Sequence, residues 1–160
     1  MKKLTIIPLI SALVLTAAVG SALGDGHADK DMAAAIKARK AQMTLISHNM
    51  GILGGMAKGQ IEFDTARASA AAESLASVAR LDRSLLWVEG SIQGDVPDTR
   101  AKAEIWSDAA GFEKAATGLE TAADGLVAVA GQDLAALQAA MKAAGESCGV
   151  CHKAYRGPKN

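Results

Sequence analysis

Leu134-Ala135-Ala136-Leu137-Gln138-Ala139-Ala140-Met141-Lys142-Ala143-Ala144-Gly145-Glu146-Ser147-Cys148-Gly149-Val150-Cys151-His152-Lys153-Ala154-Tyr155 is the stretch on which the fold turns. Leu134, Leu137, Met141, Ala144, Cys148, Cys151 and Tyr155 recur at intervals of three and four, the spacing of one helix face. Both cysteines therefore continue an apolar stripe and are expected to point into a helical core. The run Cys148-Gly149-Val150-Cys151-His152 is also the attachment signature of c-type haem. Its two thiols suit thioether bonds to the haem vinyl groups, and its imidazole suits the iron as proximal ligand. Positions i, i+3 and i+4 share a helix face, so all three groups reach one macrocycle.

Three other readings of the motif are weaker. A thioredoxin-like redox pair needs a βαβ context, and no strand alternation is present. A zinc site needs about four Cys or His ligands. The chain has 2 Cys and 3 His, and His27 and His48 lie far upstream of the motif. A structural disulfide would need neither His152 nor a helix.

Working outward, Lys2 and Lys3 precede an apolar run from Leu4 to Val19, the pattern of a secretory signal. The run is shorter than the ~20 residues a membrane-spanning helix needs. Cleavage after Gly24 (Ala22-Leu23-Gly24) and cleavage after Ala28 (Gly26-His27-Ala28) both fit. The expected organisation is a cleaved signal over 1–24, extending to 28 in the second case, followed by one domain to residue 160. The full chain carries 17 basic and 17 acidic residues. Loss of Lys2 and Lys3 with the signal leaves the remainder slightly acidic, which argues against a nucleic-acid partner. Export points to the periplasm, and the mature protein is expected to have no integral membrane span.

Aromatic residues make up only 3% of the chain, little for a core of this size. Abundant alanine lets helices approach closely or leaves room for a flat ligand. Periodicity predicts four helices: about Asp31–Lys58, Asp64–Trp87, Lys102–Val129 and Asp133–Tyr155. Ile36, Arg39, Met43, Ile46, Met50 and Leu53 form the first apolar stripe. Ala71, Leu75, Val78, Asp82 and Leu85 form the second, with an acid where an apolar residue is expected. Ile105, Ala109, Phe112, Ala116, Leu119 and Leu126 form the third. Asp64 and Asp133 are candidate N-caps. The region from Glu89 to Arg100, with Gly90, Gly94 and Pro97, is the longest irregular connection. The fold class is all-α, an antiparallel up-down-up-down four-helix bundle with the haem in its core.

These features together resemble the class II cytochromes c, which include cytochrome c′. The resemblance rests on the C-terminal position of the motif and on the closing run Cys148 to Arg156. It also rests on Ala103-Glu104-Ile105-Trp106-Ser107-Asp108 and, more weakly, on Lys37-Ala38-Arg39-Lys40-Ala41-Gln42-Met43. It implies a single covalent haem c, with Arg39 near a haem propionate and Met43 over the distal face. A guanidinium fork suits a carboxylate. In gas-binding members the position of Met43 is usually an apolar non-ligand and the iron is five-coordinate. In a low-spin branch it is a methionine whose sulfur binds iron. His48 faces away from the Met43 stripe. Trp87 and Trp106 suit either the haem edge or an ordinary core, and Arg156 either screens the proximal side or is surface charge.

The expected function is an exported electron carrier, His152 and Met43 being the axial ligands, with redox proteins as partners and no enzymatic turnover. The alternative is a five-coordinate protein that binds nitric oxide or carbon monoxide. The resemblance also implies a homodimer through the first two helices as one assembly state, although the sequence shows no clear seam.

Overall fold

The computed structural model describes residues 25–159, with side chains from residue 29. The proposed export signal over 1–24 lies outside the described residues. The elements are α1 (Asp25–Ala57), α2 (Thr65–Ala79), the short α3 (Glu104–Ser107), α4 (Ala109–Val129) and α5 (Leu134–Tyr155). Among the described residues there is no strand, only two isolated bridges, and no helix is long and apolar enough to cross a membrane.

The four long helices form a ring. Each packs on its neighbours in the order α1, α2, α4, α5 and back to α1, without diagonal contact. This is the expected up-down-up-down bundle. Its core is built from Ile46, Leu53, Met56, Leu75, Leu126 and Leu137, with alanines from all four helices between them.

Local chemistry sets the helix ends. Gly59 adopts φ 68°, and the Gln60 N–H reaches the Gly55 carbonyl, so α1 ends in a Schellman turn that requires the left-handed conformation glycine provides. The Asp64 carboxylate accepts the Arg67 N–H at 2.6 Å and caps α2. Asp133 accepts the Ala136 N–H at 2.8 Å and caps α5.

Three expectations need correction. The second helix stops at Ala79 instead of running to Trp87. The Asp82 carboxylate accepts the Ser84 N–H at 2.8 Å and the Ser84 hydroxyl at 2.7 Å, a local turn that competes with the helix. Arg80 and Arg83 reach across to Asp124, Glu113 and Glu120 on α4. Asp82 and Leu85 are therefore not core positions, and Leu85 is 75% exposed. The third helix is broken at Asp108, whose non-helical backbone (φ −124°, ψ 55°) ends α3 and whose carboxylate accepts the Gly111 N–H, starting α4. Finally, the buried stripe of α1 runs Arg39, Gln42, Ile46, Asn49, Leu53 and Met56. Met43 and Met50 stand one position off it.

Candidate haem site

Cys148, Cys151 and His152 occupy the last two turns of α5 and are each half-buried. The thiols are unpaired. Cys151 packs against a second, smaller apolar cluster of Ala101, Ile105, Phe112 and Tyr155, joined by Trp87 and Trp106. Phe112 meets Trp87 edge-on at 5.0 Å between centroids and Tyr155 at 5.4 Å. The Trp106 indole N–H donates to the Trp87 carbonyl at 3.1 Å. Both tryptophans thus stand beside the motif.

The last turn of α5 is tied down from outside. The Tyr155 hydroxyl donates to Asp108 Oδ2 at 2.8 Å, and Gly111 lies so close that a Cβ there would meet both Asp108 and Tyr155. Ala101 and Arg156 form an antiparallel bridge. The Lys102 N–H donates to the Tyr155 carbonyl at 3.1 Å and the Gly157 N–H to the Arg100 carbonyl at 2.7 Å. These ties hold the last turn of α5, and His152 with it.

Burial, followed by the positive fields of Arg156 and Arg100, lowers the His152 pKa. That favours the neutral imidazole, the form that binds metal. Burial pushes both thiols up, so they rest protonated.

Arg39 is buried at 4% exposure, which excludes a plain solvated charge. Its Nη1 donates to Ser91 Oγ at 2.6 Å and to the Leu86 carbonyl at 3.5 Å, and its Nη2 donates to the Ser91 carbonyl at 2.9 Å and to Thr99 Oγ1. The guanidinium also stands 5.0 Å from the Trp87 ring centroid. Every one of these partners is neutral, and burial lowers its pKa. A propionate would supply the missing counter-charge, but both terminal nitrogens are already engaged with the loop. Only Nε is left without a hydrogen bond, so a two-pronged clasp requires Arg39 to exchange loop partners.

Met43 is 36% exposed, yet its helical level is informative. A Cβ on Gly54 would lie 3.6 Å from the Met141 methyl, and Gln138 donates to the Ala57 carbonyl at 2.8 Å. These two contacts fix α1 and α5 as antiparallel and in register. Eleven residues back from Gly54 and eleven forward from Met141 stand Met43 and His152, about three helical turns in each case. By this register the two residues occupy matching levels on α1 and α5. Met43 also borders a shallow groove of about 660 Å³ with Ser47, His48, Ile52, Ile61 and Arg67, and His48 is exposed as expected. Gln42 beside it donates to the Val78 carbonyl, while its buried Oε1 has no partner.

The donor set therefore fits a c-type haem: two adjacent thiols, a neutral imidazole, an aromatic wall and a buried cation. A bare metal ion has no comparable place, since no group of three or more His, Cys, Asp or Glu clusters among the described residues. Sequence reasoning missed Ser91, Thr99 and Asp108. Only Asp108 carried a local signal, as an Asp three residues before a glycine inside an apolar period.

Comparison with known proteins agrees with this donor set. A family model described as cytochrome C′ matches residues 34–156. Cytochrome c-554 of Cereibacter sphaeroides is 40% identical over 121 residues, covering 76% of this chain and 79% of that protein. A solved cytochrome c′ from Rhodobacter sphaeroides superposes with a TM-score of 0.77 at 34% identity, covering 80% of this chain and 98% of that one. A nitric oxide complex of a variant cytochrome c prime from Alcaligenes xylosoxidans superposes with a TM-score of 0.70 at 33% identity, covering 80% and 97%.

Proposed function

The chain belongs to the cytochrome c′ family and its cofactor is haem c, and from that premise we propose a periplasmic monohaem protein that binds a small diatomic gas. Cys148 and Cys151 hold the haem, and His152 holds the iron on one side. Iron held in this way would offer nitric oxide or carbon monoxide a binding position. The observation that carries this reading is the nitric oxide complex of a variant of a relative that aligns over 97% of its length. The partial exposure of Met43, 36%, supports it, because the side chain stands off the buried stripe of α1.

When bound, the haem supplies one-electron iron chemistry and an axial position for a ligand. The chain's own residues do the rest. His152 is kept neutral by burial and by Arg156 and Arg100. The Trp87, Phe112 and Tyr155 wall excludes water from one edge. Apart from Arg39, no charged or acid–base side chain among the described residues lies on the buried stripe of α1, so we assign no substrate turnover. A homodimer through α1 and α2 belongs to the same reading. Leu45, 48% exposed on α1, suits it.

A second reading is favoured by one specific observation. The matching levels of Met43 and His152 suit a six-coordinate, low-spin electron carrier, and methionine sulfur raises the potential. The spectrum of the oxidised protein and of Met43→Leu, each also reduced under carbon monoxide, separates the two. The swap nearly conserves volume, at a packing cost under ~1.5 kcal/mol. A high-spin wild type that binds carbon monoxide, unchanged by Met43→Leu, establishes the gas-binding reading. A low-spin wild type that becomes high-spin and gas-binding in Met43→Leu replaces it with the electron carrier.

A further inference from the structure

Cations are not spread evenly over this molecule. Arg80, Arg83, Lys102 and Lys142 each have a carboxylate within 4.0 Å, and Lys40 reaches Asp98. Lys30, Lys37, Lys58, Arg67 and Lys114 are exposed without an ion pair among the described residues, spread over α1, the turn after it, α2 and α4. Arg100, Lys153, Arg156 and Lys159 are different. They too form no ion pair among the described residues, but all four gather at the haem-motif end.

The backbone holds them there. The Ala101–Arg156 bridge lays residues 100–102 against 155–157. Arg100 Nε donates to the Gly157 and Pro158 carbonyls at 2.9 and 3.0 Å, so its positive charge is fixed without being neutralised. Lys153 and Arg156 are exposed beside His152, and Lys159 is exposed just beyond. No acid occurs from residue 153 to 159. Glu104 neutralises only Lys102, and Asp108 is occupied by Tyr155. Val150, between the two motif cysteines, is 64% exposed. The face therefore has a small apolar centre and a cationic rim on a chain whose remaining charges are 13 basic (17 − 4) against 17 acidic.

We infer that this end is the docking face for an acidic one-electron carrier protein. The inference rests on the haem assignment above. Attraction between a cationic rim and an acidic patch orients the encounter and speeds it, while the small apolar centre keeps the complex short-lived. The exchange is balanced simply. One electron leaves the partner's reduced centre and takes iron(III) to iron(II), with no bond or proton moved.

The test uses purified holoprotein and a plant-type ferredoxin as the acidic probe. Reduction by reduced ferredoxin is followed by stopped flow across salt concentration, and retention of the holoprotein on immobilised ferredoxin is measured separately. The rate should fall about tenfold or more from low to high salt. Reduction by the cation hexaammineruthenium(II) should instead rise with salt. Lys153→Glu with Lys159→Glu should slow the ferredoxin reaction at low salt about tenfold and elute earlier. Lys58→Glu with Lys114→Glu makes the same charge change elsewhere and should stay near wild type. Equal effects of the two pairs would mean that net charge alone matters and would overturn the docking face. Retention on phosphatidylglycerol vesicles that depends on Lys153 and Lys159, without such dependence on ferredoxin, would make the occupant a lipid surface instead. A protein that shows no haem spectrum with dithionite would refute the haem assignment, whereas column retention needs no haem and judges the docking face by itself.

Discussion

The two ends of the bundle are built on different principles. At the end where α1 meets α2 and α4 meets α5, Leu53, Leu75, Leu126, Leu137 and Ala144 are each 0% exposed, and the four helices close on one another through leucine and alanine. At the motif end the buried apolar set shrinks to Ala101, Ile105, Phe112 and Tyr155. Polar ties replace apolar contact there: Arg39 to Ser91 and Thr99, Tyr155 to Asp108, and Lys102 to the end of α5. The closed end stabilises itself by burial. The motif end is short of volume and carries thiols, an imidazole and a cation that a haem would complete. A bundle can thus separate the half that specifies the fold from the half that serves the cofactor.

The largest effect should come from removing the cofactor's attachment. Cys148→Ala with Cys151→Ala should abolish covalent haem completely, read by acid–organic extraction, which leaves wild-type haem on the chain. Hydrogen exchange should then accelerate in α5 beyond Ser147 and in residues 86–107, while α2 and the first half of α5 stay protected. Uniform loss of protection would dissolve the contrast between the ends.

The closed end should respond in the opposite way. Leu126→Ala should cost about 2–5 kcal/mol in denaturant unfolding, because the site is fully enclosed and collapses poorly. The haem should remain attached. Smaller again is the cross-helix clamp on α4. The Glu113 carboxyl is held below its usual range, first by its hydrogen bond to Arg83. A depressed carboxyl contributes stability above its unfolded pKa and loses it as pH falls through the folded value. Arg83→Met should therefore cost under ~1 kcal/mol near neutral pH, since these groups are largely solvated, and progressively less at acid pH, as the carboxyl protonates. Chemical unfolding at the two pH values reads this directly.

The smallest and most local effect concerns Tyr155, the single tyrosine of the chain. Its hydrogen bond to Asp108 pushes its pKa up to about 12. The neutral phenol's contribution is complete below the unfolded value near 10 and fades as pH rises through about 12. Ultraviolet titration should show that late ionisation, and Asp108→Asn should move it down. Ionisation near 10 in the wild type would mean that the tie on the last turn of α5 is absent.

The closed end and the motif were largely legible in the sequence, and for the same reason. Helix caps at Asp64 and Asp133, the turn at Gly59 and the cysteine spacing are all local chemistry within a few residues. What could not be read is long-range. Arg39 bonds to Ser91 and Thr99, 52 and 60 residues away, and no periodicity announces that. The apolar period through Leu85 continues the α2 pattern, and the stop comes from the Asp82–Ser84 turn together with the cross-helix pairing of Arg80 and Arg83. On α1 the apolar residues Met43 and Met50 drew the stripe one position off. The bundle instead turns Gln42 and Asn49 inward, the former bonded to Val78 on α2 and the latter to its own helix at Leu45.

Both tryptophans of the chain, Trp87 and Trp106, lie in the cluster that packs on Cys151. Indole emission therefore comes from the motif end alone, and the closed end is dark. A haem beside these rings would quench them by energy transfer, so emission in the intact protein would be faint. Loosening at the motif end would brighten it while the helical circular dichroism barely changed. The molecule carries an optical probe that separates motion around the cofactor from unfolding of the bundle, with no label added.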